Sequence, residues 1–256
     1  MKRLFTTALL AATAVHAAST IAAVKVDGVD RRAVVYTPDQ RGAKAPLIFA
    51  FHGAGDTADN FSDVELERAW PEAVVIYMQG LPRNAGYGSG GFWQTESGQN
   101  GDRDLKFFDE MLAKIRAAHA IDEKRIYAMG FSNGAKFVYL LWAQRPKLFA
   151  ALGPVAGQHA PSLTINQPMP LIHIAGEQDH QNDIELQKGS IEMARKVNGA
   201  TGKGSPCGTY CLQYIPAQAA KGAPVMTVLH PGAHVYPAGT SESIVKFFKM
   251  HARGNE

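Results

Sequence analysis

The chain has 256 residues, of which 46% are hydrophobic and 19% are charged, and this composition is sufficient for one large globular core. Its formal net charge is +3, and once Lys2 and Arg3 are set aside 24 basic residues face 23 acidic ones. This near balance argues against nucleic acid or an anionic membrane surface as a partner.

The first residues predict a secretory leader. Lys2 and Arg3 precede an apolar run from Leu4 to Val15, and small residues follow this run. The run is too short to span a bilayer, and no later stretch is long and apolar enough to do so. We place cleavage between Ala17 and Ala23, with a signal peptide over 1–22, one domain over 23–256 and a secreted or periplasmic location. An N-terminal helix packed on the domain is the alternative interpretation.

Strand-like and helix-like segments alternate along the rest of the chain. The predicted strands cover residues 24–26, 32–36, 47–51, 73–77, 125–129, 170–175 and 225–230. The predicted helices cover residues 104–120, 135–144, 184–197 and 243–251. This alternation predicts a single-domain α/β fold with a mostly parallel central sheet flanked by helices. Functional residues of such sheets lie on loops beyond the carboxyl ends of the strands.

One short motif lies where the strand at 125–129 gives way to the next helix. It reads Gly130-Phe131-Ser132-Asn133-Gly134 and matches Gly-x-Ser-x-Gly, the pattern of a serine nucleophile on a sharp strand-to-helix turn. The glycines suit the tight bend, and the positive end of the following helix suits a developing oxyanion. Ser132 is therefore the candidate nucleophile.

A serine nucleophile needs a base, and the base needs an orienting acid. On this type of turn the chain order is serine, then an acid, then histidine. Asp179 follows the strand at 170–175, and His234 follows the strand at 225–230. We assign Asp179 as the acid and His234 as the base.

Other side chains compete for these two roles. His230 is close to His234 but falls within the predicted strand, and His173 lies inside a strand as a core residue. His180 directly follows Asp179 and cannot easily be its partner. Glu177 and Asp183 stay open as alternatives to Asp179.

Two backbone N–H groups are expected to form an oxyanion hole. The first belongs to Asn133, which follows the nucleophile, and the second should come from the loop after the strand at 47–51. This loop begins His52-Gly53-Ala54, and we assign the second donor to Ala54. A plain strand-to-loop turn is the alternative interpretation of His52-Gly53.

Export permits disulfides, and the chain has two cysteines, Cys207 and Cys211. Their spacing and even count favour a disulfide bond that closes a small loop, with two free thiols as the alternative. We predict no metal site, because no second pair of Cys or His residues accompanies them at ligand spacing.

The chain resembles the secreted α/β-hydrolase esterases that include polyhydroxybutyrate depolymerases and feruloyl esterases. The resemblance rests on Phe51-His52-Gly53, Gly91-Phe92-Trp93, the segment from Arg125 through the serine motif, the run from Arg145 to Ala151, and Pro154-Val155-Ala156-Gly157. It implies an α/β-hydrolase catalytic domain over 23–256 and a position near the substrate cleft for Trp93. We assign His52 and Trp93 as substrate-binding residues. A core position is the alternative for Trp93.

Three positions depart from the family pattern: Ala135 replaces a glycine, Ala175-Gly176 replaces His-Gly, and the glycine-rich stretch before His234 is shortened to Pro231-Gly232-Ala233. These departures leave Ser132, Asp179 and His234 in place and affect which acyl group is recognised.

These observations predict a secreted serine esterase that acts through an acyl-enzyme intermediate on a small-molecule or polymeric ester and uses no cofactor. An acyltransferase or a peptidase of the same fold is one alternative. The other is a catalytically silent binding module on a hydrolase scaffold.

Overall fold

A computed structural model describes residues 18–38, 44–83, 90–218 and 221–254 of the chain. The predicted leader lies outside the described residues up to position 17, and the first strand begins at Ala18. Among the described residues, no helix combines the length and the apolar character that crossing a bilayer requires.

The described residues form ten strands and six α-helices. The strands are β1 (Ala18–Val26), β2 (Val29–Thr37), β3 (Ala45–Phe51), β4 (Val74–Met78), β5 (Ile121–Phe131), β6 (Ala151–Val155), β7 (Leu171–Gly176), β8 (Ser205–Gly208), β9 (Cys211–Tyr214) and β10 (Val225–His230). The helices are α1 (Ala58–Phe61), α2 (Leu66–Ala69), α3 (Arg103–Ala118), α4 (Asn133–Gln144), α5 (Ile184–Val197) and α6 (Thr240–Lys249).

All ten strands form one sheet in the order β1-β2-β4-β3-β5-β6-β7-β10-β9-β8. The six central strands, from β4 to β10 in this order, are parallel, and antiparallel strands extend the sheet at both ends. The predicted α/β fold with a mostly parallel sheet is confirmed. The carboxyl ends of β3, β5, β7 and β10 consequently meet at one edge of the sheet.

Strand β3 shows why the parallel strands read as continuous apolar runs. All seven of its residues are buried, and alternate side chains enter different halves of the core. Phe49 and its alternate neighbours face the half that contains α3, α4 and α5, whereas Ile48 and Ala50 face the half that contains α1, α2 and α6. Because both faces are covered by helices, no polar alternation is needed along this strand.

Strand β6 was not predicted. It is short and fully buried between β5 and β7, yet it contains Gly153 and Pro154, two residues that disfavour the interior of a sheet. Proline has no backbone N–H, and the pairing of β6 with β7 is limited to Leu152 with Leu171 and Val155 with Ile174. Tertiary packing overrides local propensity here.

The predicted disulfide bond between Cys207 and Cys211 is confirmed, with 5.1 Å between the two Cα atoms. It closes the β8–β9 hairpin, which the sequence analysis did not predict as strands. Cys211 pairs with Val228 of β10, the strand that leads to His234. The bond therefore constrains the end of the sheet beside this strand.

Candidate active site

Ser132 lies between β5 and α4 with a backbone conformation of φ 55° and ψ −113°, which non-glycine residues rarely adopt. The turn is tight because the backbone passes close to its neighbours on both sides. A Cβ atom at Gly130 would lie 2.5 Å from the carbonyl of Gly134, and one at Gly134 would lie 2.1 Å from the Phe51 oxygen. Both glycines of the motif are thus required by close approach, and the bend lifts Ser132 to the edge of the sheet.

The loops after β5, β7 and β10 bring Ser132, Asp179 and His234 together. Nδ1 of His234 lies 2.8 Å from Oδ2 of Asp179, and Nε2 lies 2.9 Å from Oγ of Ser132. A carboxylate can only accept, so Nδ1 carries the proton and Nε2 is free to accept from the serine hydroxyl. This is the tautomer that a histidine base needs for a serine nucleophile.

The carboxylate of Asp179 is buried and receives hydrogen bonds at both oxygens. Oδ1 accepts from the N–H groups of Gln181 and Asn182, while Oδ2 accepts from His234 and from Nε2 of Gln187. Burial alone would raise the pKa of Asp179, but the hydrogen bonds from His234, Asn182 and Gln187 outweigh it and hold this pKa below its usual range. The acid therefore stays ionised beside the histidine.

Gln187 links this carboxylate to a second buried histidine. Its Oε1 lies 3.3 Å from Nε2 of His173, and Nδ1 of His173 lies 2.8 Å from the hydroxyl of Tyr139. His173 is a buried core residue, as its strand position indicated, and burial lowers its pKa to about 4. The chain of hydrogen bonds fixes the orientation of Gln187 behind Asp179.

The low pKa of His173 predicts a loss of stability in acid. Between about pH 6.5, where an unfolded histidine titrates, and pH 4, the unfolded chain takes up a proton that folded His173 does not. The free energy of unfolding should therefore fall through this range, by at most about 1.4 kcal/mol per pH unit from this residue. Urea unfolding of His173→Gln should show a smaller fall than the parent, with the exposed His180→Gln variant as control. Equal pH slopes for parent and His173→Gln would contradict this assignment.

The competing side chains lie elsewhere. Nδ1 of His230 accepts a hydrogen bond from the N–H of Gly232, 3.1 Å away. Asp183 caps the start of α5 by accepting from the N–H of Glu185, and Glu177 and His180 are exposed. Among the candidate acids and bases, Asp179 and His234 are hydrogen-bonded to each other, and His234 is hydrogen-bonded to Ser132.

The two expected oxyanion donors lie on either side of the nucleophile. Asn133 is the first residue of α4, so its N–H has no partner within the helix. Ala54 is exposed, and no hydrogen bond joins its N–H to another described residue. A Cβ at Gly53 would lie 3.6 Å from the Ser132 Cβ, so the loop that carries Ala54 passes directly beside the nucleophile.

His52 and Trp93 lie behind this loop rather than on the surface of the cleft. Both side chains are buried, His52 completely. Nε2 of His52 accepts from the N–H of Gly80, so Nδ1 carries the proton and donates to the Gly53 oxygen; burial lowers the pKa of this imidazole. The indole N–H of Trp93 donates to the His52 oxygen. Direct contact with substrate, which the sequence analysis assigned to both residues, does not fit this arrangement, because both rings are buried and all their polar atoms are used to hold the loop.

Asn133 also uses its side chain. Its Oδ1 accepts from the N–H of Trp93 at 2.7 Å, and its Nδ2 donates to the Trp93 oxygen at 3.1 Å. This reciprocal pair joins the segment around Trp93 to the start of α4. The sequence analysis had considered only the backbone N–H of Asn133.

Asn182 and Gln187 were missed by the sequence analysis. Nδ2 of Asn182 donates to the Ala156 oxygen at 2.7 Å and lies 3.4 Å from Oγ of Ser132. Gln187 donates to both Asp179 and the Asn182 oxygen. No sequence motif identifies Asn182 or Gln187 as site residues. Their short distance along the chain from Asp179 was the one weak indication.

A family model described as Esterase PHB depolymerase matches residues 31–162, just over half of the chain. The chain belongs to the esterase PHB depolymerase family. The resemblance drawn from the sequence is confirmed, and the matched residues of this family member include the serine motif and the loop with Ala54.

Two curated relatives resemble this member of the esterase PHB depolymerase family over most of its length. A bifunctional acetylxylan esterase/xylanase from Neocallimastix patriciarum is 25% identical over 236 residues, which cover 89% of this chain and 31% of that protein. A protein named probable feruloyl esterase C from Aspergillus niger is 27% identical, with 76% of this chain and 74% of that protein covered. The chain thus spans less than a third of the first relative.

A solved structure confirms the fold of this family member. The acetyl xylan esterase from Aspergillus awamori superposes with a TM-score of 0.69 at 14% identity, covering 90% of this chain and 99% of that chain. At this identity the likeness concerns the fold alone, and the predicted α/β-hydrolase fold is confirmed.

Proposed function

We propose that the protein is an exported serine esterase that hydrolyses carboxylic esters through Ser132, His234 and Asp179. The observation that carries this proposal is the continuous line of hydrogen bonds from Asp179 through His234 to Ser132, with distances of 2.8 and 2.9 Å. Membership in the esterase PHB depolymerase family supports the same reaction class.

In this mechanism, His234 takes the proton of Ser132 as the serine oxygen attacks the ester carbonyl carbon. The C–O bond to the alcohol then breaks, and His234 returns the proton to the departing alkoxide, which leaves an acyl-serine. Water, deprotonated by the same histidine, attacks the acyl-serine and releases the carboxylic acid and Ser132. Asp179 holds the imidazole tautomer and stabilises the imidazolium formed in each step.

The negative charge on the former carbonyl oxygen needs hydrogen-bond donors that are already in place. The N–H groups of Ala54 and Asn133 are the proposed donors, and the start of α4 adds the positive end of its helix dipole. His52, Trp93 and the Asn133 side chain are the proposed positioning residues for this hole, because they join its two sides through hydrogen bonds. A fixed hole stabilises the charge without reorganisation during the reaction.

Export is supported by the basic and apolar leader and by the Cys207–Cys211 disulfide bond, since such bonds persist in oxidising compartments. Cleavage at Ala17 would leave β1 whole, whereas cleavage at Ala22 would remove its first five residues and their pairing with β2. We therefore favour the earlier site, which the mass of the exported protein would report.

The enzyme proposal is tested with short aliphatic, hydroxycinnamate and oligomeric hydroxyalkanoate esters. We expect a rapid burst of p-nitrophenol from p-nitrophenyl butyrate, followed by slower steady hydrolysis as the acyl-enzyme reacts with water. The two alternatives give different results. A silent binding module would release no p-nitrophenol, and an acyltransferase would pass the acyl group to an added alcohol in preference to water.

A further inference from the structure

A cavity of about 380 Å³ opens between the starts of α4 and α5. Four segments of the chain wall it: Thr95, the first turn of α4 at Lys136, the loop at 158–161, and the start of α5 from Glu185 to Gly189. Ala160, Pro161 and Leu186 give it apolar surface, while Lys136 and Gln158 contribute polar groups. The mechanism described above uses none of these side chains.

Each of the four segments that line the cavity lies within a few residues of a residue that contacts the turn at Ser132. The N–H of Lys136 donates to the Ser132 oxygen at 3.2 Å, and Asn182, just before α5, lies 3.4 Å from the Ser132 Oγ. A Cβ at Gly157, just before the 158–161 loop, would lie 2.6 Å from the Ser132 oxygen. Trp93, two residues before Thr95, is joined to Asn133. The cavity is therefore adjacent to the place where the ester must lie.

Lys136 is the charged group of this cavity that has no partner among the described residues. Its side chain is half-buried, and no hydrogen bond or ion pair joins its ammonium to another described residue. The other titratable side chains in the lining are engaged: Glu185 forms an ion pair with Lys188 at 2.8 Å, and Nδ1 of His159 lies 2.8 Å from the Ser190 hydroxyl. Burial lowers the pKa of Lys136, and the more distant Asp179 carboxylate opposes this shift.

Gln158 presents a second unsatisfied group. Its Oε1 is buried and has no hydrogen-bond partner among the described residues. Leaving a buried acceptor or a partly desolvated ammonium without a partner costs free energy, which a ligand that pairs with both would restore. A carboxylate satisfies the ammonium, and a neighbouring hydroxyl can donate to the amide oxygen.

We propose that this cavity is a substrate subsite in which Lys136 binds a carboxylate carried by the acyl or the alcohol part of the ester. The inference rests on the proposed esterase function and narrows its substrate class to esters with an anionic substituent near the scissile bond. The apolar walls would contact the carbon chain between the ester and the carboxylate, and Gln158 would accept from a hydroxyl, where one is present, once its amide turns toward the cavity.

Two matched substrate pairs distinguish the acyl side from the alcohol side. The first pair is mono-p-nitrophenyl glutarate and p-nitrophenyl pentanoate, which differ by a carboxylate at the end of the acyl chain. The second pair is para-acetoxybenzoate and its methyl ester, which differ by a carboxylate on the alcohol. For each pair we divide kcat/KM of the anionic ester by kcat/KM of the neutral ester. In Lys136→Met, we expect this ratio to fall about 10-fold or more for the pair whose carboxylate Lys136 binds, chiefly because KM of the anionic ester rises. Lys136→Arg should restore much of this ratio.

Lys196→Met is the matched control, since it removes an exposed lysine of the same helix α5 that lies outside the cavity lining, and it leaves the Glu185–Lys188 ion pair intact. Its ratio should match that of the parent. A ratio that is unchanged for both pairs in Lys136→Met, including the case in which kcat/KM falls equally for both members, would overturn the inference. Turnover of the neutral esters would still support the proposed esterase.

A binding measurement keeps the inference testable even without turnover. Calorimetric titration with glutarate should show affinity at least about 10-fold lower for Lys136→Met than for the parent, because one charge-assisted hydrogen bond is lost. Equal binding by both proteins would contradict the subsite. Failure of every ester to turn over would contradict the proposed function instead.

Discussion

Ser132→Ala should reduce ester turnover on the order of 10⁵-fold or more while leaving the fold intact. The substitution removes the oxygen that lies 2.9 Å from Nε2 of His234 and leaves the histidine without a proton to accept from the chain. Alanine keeps the Cβ of serine, so the tight turn between Gly130 and Gly134 gains no new steric clash. Initial rates with p-nitrophenyl butyrate, together with circular dichroism spectra, measure both parts of this result.

Ser243→Ala is a suitable control for this experiment. Ser243 is exposed in the first turn of α6, where its hydroxyl donates to the Gly239 oxygen. Its loss should leave turnover unchanged. Should Ser132→Ala retain activity within tenfold of the parent, the serine motif would have no part in catalysis.

Asp179→Asn should lower turnover by roughly 10³–10⁴-fold. The amide has nearly the shape of the carboxylate, but its NH₂ group cannot accept the proton of Nδ1 and favours the wrong imidazole tautomer. It also removes the negative charge that stabilises the imidazolium of His234. Because the carboxylate has a lowered pKa in the folded protein, its charge supports the site throughout the neutral range.

Asp183→Asn provides a matched control four residues along the same loop. Its carboxylate caps α5 by accepting from the N–H of Glu185, and asparagine caps helices about as well as aspartate. Turnover and melting temperature should both stay close to those of the parent. Severe loss in Asp183→Asn with little effect in Asp179→Asn would transfer the role of the acid to Asp183.

The strands that form the site could be predicted because both their faces are buried. Residues 47–51 form a continuous apolar run, and residues 170–175 are apolar apart from His173; the polar residues that follow such strands meet at one edge of a parallel sheet. Asp179 and His234 could be predicted as site residues because each follows one of the predicted strands. Strand β6 escaped prediction because Gly153 and Pro154 contradict its local preference.

The supporting residues could not be predicted in the same way. Gln187 lies on a helix face where its partners, Asp179 and His173, come from a different loop and a strand, so its role exists only after the helix has packed. His52 and Trp93 were assigned to the substrate cleft from the sequence, but their burial depends on how the loop that begins at His52 packs against the segment around Trp93. Position along the chain locates a site, whereas tertiary contact decides which side chains face into it.

The two ends of the sheet differ in how they resist pairing with another molecule. At one end, β8 is only four residues long, contains Pro206 and is tied to β9 by the disulfide bond, all of which blunt an exposed edge. At the other end, β1 offers nine residues with an exposed Ile21 and is guarded chiefly by the charge of Lys25. Resistance to edge-to-edge aggregation therefore depends in part on oxidation at one end of the sheet and on charge at the other.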